Sequence, residues 1–273
     1  MEERDAAEGS APPRREADGR DGTDRRGGAG RQRLRVAVVT GASSGIGAEL
    51  VRALQRRGTV VVGLSRTASA ADEHEECDVA DRDAVEAAAA RVLGRHPEID
   101  LLVNNAGIAA RGSFLDAEPE RIADVVRVNY LGSVWATRAF LPALRPGSHV
   151  VNVVSVAGLV ANGPYSASKH AQLAFSRSLA VELAPLGVRV HTVSPGFVET
   201  PGFPQRGRIP APLYRLVARP SLVVERLLAA VDRDTREIVV PRWYRPAAWV
   251  QALAPGLLAS ARARTSRSSP RSE

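Results

Sequence analysis

The chain has 273 residues, 44% of them hydrophobic, with 37 basic and 30 acidic side chains and a formal net charge of +7. That length suits one large α/β domain with tails, and a single cysteine, Cys77, excludes an intrachain disulfide framework. No apolar run reaches the roughly 20 residues of a bilayer-spanning helix, and the expectation is a soluble, cytoplasmic protein without a signal peptide.

The positive charge does not point to nucleic acid. Residues 36–200 hold 15 basic and 17 acidic side chains, whereas residues 201–273 hold 13 and 5. The body is nearly neutral and the excess lies in the last quarter.

Residues 1–33 contain no Val, Ile, Leu, Phe, Tyr or Trp. A segment that buries so little apolar area cannot offset its ordering entropy, so a disordered tail is expected there. Residues 34–240 read as one folded domain and residues 241–273 as a basic, partly apolar extension.

Val36 to Thr40 predicts a first central strand, and a helical stretch runs to about Arg57. Between them lie Gly41, Ser43, Ser44, Gly45, Ile46 and Gly47 in the spacing TGxxxGxG. Glycines at a strand-to-helix turn let the backbone approach a pyrophosphate, which then faces the positive end of the helix.

A second strand over residues 59–64 ends at Ser65 and Arg66. A carboxylate at this place would accept from the ribose hydroxyls of NAD, while an arginine pairs with a 2′-phosphate. Arg66 therefore favours NADP over NAD. A short third strand leads to Cys77, Asp78 and Val79, Asp81 caps an Ala-rich helix, and residues 99–103 form a fourth strand before Asn104-Asn105-Ala106-Gly107. One long helix is expected over residues 119–144, with Asn129 bending it by a local backbone hydrogen bond.

A β-branched run from His149 delivers Ser155 at its carboxyl end. Gly163 and Pro164 then open a helix on which Tyr165 and Lys169 stand four apart, one turn apart on one face. A cation so placed favours the phenolate and brings a group of pKa about 10 towards use near neutrality. Lys169 is the only lysine in the chain, and arginine is a poor substitute for a compact ammonium that must hold a hydroxyl and pass on a proton.

A sixth strand over residues 188–193 precedes Pro195, Gly196, Val198 and Thr200. A Pro- and Gly-rich loop follows over residues 201–219, then a helix over 221–231 and a last strand over 237–240. The five histidines show no zinc-ligand spacing, so no metal is expected.

Tyr165-Ser-Ala-Ser-Lys169, Ser155 upstream and the glycine loop together closely resemble the short-chain dehydrogenase/reductase family, classical type, over residues 34–240. The resemblance, with the alternation of strands and helices, implies an α/β fold: a doubly wound Rossmann-type sandwich on a seven-stranded parallel sheet. It implies oxidoreduction of a small-molecule carbonyl or alcohol with Asn129, Ser155, Tyr165 and Lys169 as catalytic residues. Tyr165 would exchange the proton and Ser155 would hold the substrate oxygen. Lys169 would lower the tyrosine pKa, hold the ribose and relay a proton through water on Asn129.

Gly41, Ser43, Ser44, Gly45, Ile46, Gly47, Arg66, Asp78, Val79, Asn105, Ala106, Gly107, Tyr165, Lys169, Pro195, Gly196, Val198 and Thr200 would bind the cofactor. A homodimer or homotetramer is implied as well. The Ser155 to Tyr165 interval is shorter than the family usually shows, which puts the meeting of those two side chains at issue. A dinucleotide-binding sensor or scaffold without turnover is the competing class. Trp243, Tyr244 and Trp249, followed by Arg262, Arg264, Arg267 and Arg271, suit packing on the domain or peripheral contact with an anionic membrane, the latter in keeping with a lipophilic substrate.

Overall fold

The computed structural model describes residues 33–246 other than 111, 161–162, 207–208 and 210. Seven strands, β1 (Val36–Thr40), β2 (Val60–Ser65), β3 (Glu73–Glu76), β4 (Ile99–Asn104), β5 (Leu144–Val153), β6 (Arg189–Pro195) and β7 (Glu237–Val240), form one sheet. Their order is β3-β2-β1-β4-β5-β6-β7, and every pairing is parallel. The order reverses between β1 and β4, which opens a crevice beyond their carboxyl ends where ligands of doubly wound sheets bind.

Parallel strands need crossovers, supplied here by helices on both faces. Successive strand residues point to opposite faces, and the core divides accordingly. Val39, Val103 and Val151 pack with Leu50 and Leu54 of α1 (Gly45–Gln55) and Leu227 of α6 (Pro220–Asp232). On the other face Val38, Leu102 and Val150 pack with Val92 of α2 (Arg82–Arg95), Phe140 of α4 (Gly132–Phe140) and Leu183 of α5 (Gly163–Leu183).

The single helix expected over residues 119–144 is broken. α3 (Pro119–Val126) passes into a π-helical turn, Arg127–Leu131, before α4, and a 3-10 turn, Leu141–Ala143, ends the run. Pro142 has no amide hydrogen to continue an α-helical ladder, so Leu144 begins β5 instead. β2 and β6 run one and two residues further than their sequence patterns suggest, because Ser65 pairs with Glu76 and Pro195 with Val240.

Candidate active site

The glycine loop is set between β1 and α1. Gly41 and Gly45 have φ of +67° and +57°, a region that side chains with a Cβ rarely enter. Thr40 Oγ1 accepts from the amides of Asn105 (3.0 Å) and Ala106 (3.1 Å), while Asn105 Nδ2 donates to the carbonyls of Thr40 (3.0 Å) and Gly41 (3.2 Å). The segment after β4 thus braces the loop. The Ser44 hydroxyl makes no capping bond, and α1 carries no acid in its first turn, which leaves a helix N-terminus suited to an anion.

A cavity of about 830 Å³ runs from this loop across the ends of β4, β5 and β6. Ser43, Ser44, Gly45, Ile46, Arg66, Asp78 and Val79 line one end, Asn105, Ala106 and Gly107 its floor, and Ser155, Tyr165, Lys169, Pro195, Gly196, Val198 and Thr200 the other. Gly47 is buried behind the loop and is not a lining residue. A Cβ there would collide with the Gly41 carbonyl, so its contribution is close packing of helix on loop. Asn129 is fully buried and also stands behind the lining.

A dinucleotide fits this donor set. The loop is a cradle that a side chain would fill, with a helix N-terminus for the pyrophosphate and Arg66 at the far rim. The Arg66 guanidinium, 69% exposed, stands 3.9 Å from Asp78, and Asp78 also accepts from the amide of Ala80. Beside them burial pushes the Cys77 thiol up to about 11, which rules it out as a nucleophile near neutral pH.

Ser155 follows the end of β5 and caps a 3-10 turn, Val156–Leu159. Its hydroxyl accepts from Ala157 N (3.1 Å) and donates to the carbonyl of Pro195 (3.4 Å). Gly163, at φ +71°, turns the chain into α5, and the Ser166 hydroxyl ties the helix back to the carbonyl of Ala157 (2.5 Å). Despite the short interval between them, Ser155 and Tyr165 line the same cavity.

The Tyr165 phenol is raised above its ordinary pKa by burial, with the Ser155 side chain acting in the opposite direction. That differs from the lowering expected from Lys169. The reason lies in where the ammonium points: Lys169 Nζ donates to the carbonyl of Val153 (3.1 Å) and to Gln172 Oε1 (2.7 Å), and burial alone brings its pKa down to about 7. A cation so readily discharged exerts little pull on a phenol.

Asn129 sits in the π-turn. Its side chain accepts from Ile108 N (2.8 Å) and donates to Ile108 O (3.0 Å) and Ser168 Oγ (3.0 Å). The extra residue of a π-turn turns this amide towards α5 and the segment after β4, a distortion common at functional sites.

Two side chains escaped the sequence reading, Phe203 in the cavity wall and Gln172 behind it. Phe203 meets Tyr165 at a 45° tilt with 5.6 Å between ring centroids, and Gln172 holds Lys169; Tyr244, expected to pack on the domain, covers Gly196. Only Gln172 left a signal, its i+3 spacing from Lys169 on one helix. The 3-10 turn that carries Tyr244, Arg242–Tyr244, lies beyond residue 240 and packs into the cleft.

A doubly wound parallel sheet with this glycine loop and a Ser-Tyr-Lys group over one cleft defines a class, and comparison agrees. The family model described as short chain dehydrogenase matches residues 35–208, and the chain belongs to that family of oxidoreductases. It is 32% identical over 272 residues to the dehydrogenase/reductase SDR family member 7B of Bos taurus, covering 87% of this chain and 84% of that protein. A short chain dehydrogenase of Burkholderia cenocepacia, solved in complex with NADP, superposes with a TM-score of 0.70 at 27% identity over 76% of this chain and 97% of the other. A Burkholderia phymatum relative in complex with NAD gives 0.72 at 25% identity over 82% and 95%.

Proposed function

We propose that the protein is an NADP-dependent oxidoreductase that interconverts a carbonyl and an alcohol, with Tyr165 as acid and base. The observation that carries this reading is that Ser155, Tyr165 and Lys169 line the same cavity as the glycine loop. When bound, a nicotinamide dinucleotide supplies or accepts the hydride. Gly41, Gly45 and the start of α1 hold its pyrophosphate, Arg66 its 2′-phosphate, and Asn105 to Gly107 with Pro195 to Thr200 its remaining length.

Ser155 donates to the substrate oxygen and stabilises the charge that grows on it. Tyr165, kept protonated by burial, gives its proton to that oxygen in reduction and takes one in oxidation. Lys169 would hold the ribose through the N–H that its two protein acceptors leave over.

The substrate end of the cavity is walled by Ile108, Leu159, Val160, Phe197, Phe203 and Tyr244. Among the described residues the charged members of the lining, Arg66, Asp78 and Lys169, belong to the cofactor's path. An uncharged, lipophilic carbonyl compound is the substrate class this wall favours. The reading is tested by following NADPH consumption with a panel of apolar ketones and aldehydes beside charged ones. Turnover restricted to charged substrates, or to NADH, overturns it.

A homodimer or homotetramer in the cytoplasm completes the proposal. Its support is Val181 on α5, 75% exposed; light scattering at micromolar concentration tests it, and a monomer counts against it. Among the described residues no helix is long and apolar enough to cross a membrane, and no group of three metal-binding side chains occurs. Peripheral membrane contact through the extension rests on Trp243, 48% exposed, because Trp249 and the terminal arginines fall outside the described residues. Vesicle sedimentation of the full chain against one ending at Pro246 tests that contact.

A further inference from the structure

Lys169 is 3% exposed, and burial of an ammonium is costly unless acceptors replace its water. Two acceptors are in place. One is the Val153 carbonyl, fixed by the sheet; the other is the side-chain oxygen of Gln172, at 2.7 Å and itself fully buried. An ammonium has three donors, so one remains for the cleft that Lys169 lines.

Gln172 is held in turn. Its Nε2 donates to Ser133 Oγ (2.8 Å), and Ser133 Oγ donates to the main-chain carbonyl of Asn129 (3.3 Å). That carbonyl belongs to the π-turn, so a side-chain route joins the lysine to the distorted helix. The order of donors fixes the amide: the nitrogen end faces Ser133, and the oxygen end faces the lysine, whose ammonium form can only donate.

We propose that Gln172, fixed by Ser133, is a positioning residue for Lys169, holding its ammonium so that the remaining N–H serves the cofactor in the cleft. The inference rests on the catalytic reading of Lys169. A neutral amide suits this task because it orients the ammonium without trapping it as an ion pair, leaving the lysine free to lose and regain its proton. Tyr165, on the same helix, is the other titratable group of the centre. Asn129 on the π-turn, Ser155 and Val153 after and within β5, and Gly107 after β4 present uncharged groups.

The sequence offers a direct probe, since Lys169 is the only lysine in the chain. Protein grown with 13Cε-lysine gives one side-chain resonance, and its titration reads Lys169 in the cofactor-free protein. The expected midpoint is about 7 in the wild type. Gln172→Glu, which keeps an acceptor oxygen and adds a charge beside it, is expected to move the midpoint up by about one unit or more. Gln172→Leu, which removes the acceptor, is expected to move it down and to weaken NADPH binding by about tenfold.

Both variants are checked for folding by circular dichroism. Should Gln172→Leu fail to fold, Gln172→Glu alone decides. Midpoints in both variants equal to wild type overturn the positioning role, as does unchanged NADPH affinity in a folded Gln172→Leu. If the midpoints shift as expected but the wild type binds neither NADPH nor NADH, the catalytic reading has failed while the lysine–glutamine contact stands.

Discussion

The Tyr244 ring lies so close over Gly196 that a Cβ on the glycine would overlap Cε2 and Cζ. The same ring meets Phe197 edge-on at 6.4 Å between centroids, and the Tyr244 hydroxyl accepts from Phe197 N at 3.4 Å. Gly196→Ala is therefore expected to expel the ring and destabilise the fold by about 1–3 kcal/mol. In a Tyr244→Ala background the same change is expected to be nearly neutral. Thermal melts of the two single variants and the double variant measure this coupling.

Tyr165→Phe removes the proton-transferring oxygen and keeps the ring against Phe203. Turnover is expected to fall by about 10²–10⁴-fold, with NADPH affinity within about twofold of wild type. Stopped-flow reduction and fluorescence titration read the two quantities separately. A variant that still turns over, or one that loses NADPH, contradicts the assigned role.

Arg66 stands at the carboxyl end of β2, 69% exposed and only loosely associated with Asp78 at 3.9 Å. Arg66→Ala is expected to raise the NADPH dissociation constant by about 10–100-fold, the worth of a charge-assisted hydrogen bond. NADH binding should change by less than about threefold. Isothermal titration with both cofactors checks the ratio.

His149 and His191 form a stacked, buried pair between β5 and β6. Thr235 O can only accept from His191 Nδ1 (2.9 Å), so His191 Nε2 accepts from His149 Nδ1 (2.8 Å) and both rings are neutral. Burial first, then His191 and Arg189, hold His149 down to about 4; burial also lowers His191. Asp234 and Asp232 pull weakly the other way on His149.

For His149 an unfolded chain takes up the proton near pH 6.5, the folded one only near 4. The contribution to stability is thus complete above pH 6.5 and lost as the pH falls towards 4. The urea midpoint of the wild type is expected to drop more between pH 7 and 5 than that of His149→Gln. Parallel curves for the two would contradict this.

The strands were legible because parallel strands buried on both faces are written as β-branched runs such as Val36–Thr40. The glycine loop and the Tyr165–Lys169 spacing were legible because short-range backbone geometry fixes their residue types. What failed depended on contacts between distant segments. The ring of Phe203 reaches the cleft only through tertiary packing, and for Tyr244 the sequence left packing on the domain open beside contact with a membrane surface. The π-turn at Arg127–Leu131 leaves the apolar pattern of its helix almost intact, so only its polar anchor, Asn129, hinted at it. Direction of titration was the least legible: a four-residue spacing suggested a cation next to a phenol, whereas backbone and amide acceptors turn the cation aside.

At the outer margin of the sheet β3 has β2 on one side only, and its sequence is Glu73-His74-Glu75-Glu76. Glu73 is bonded by Arg95 and His96, and Glu75 by Arg91 and Arg95. An open strand edge invites pairing with a strand of another molecule, and ranked charges along it prevent that. Burial works to raise both carboxyls, but these hydrogen bonds prevail and hold Glu73 and Glu75 below the usual carboxylate range. The fence against aggregation therefore keeps its charge on acidification beyond the point at which unpaired glutamates are neutral.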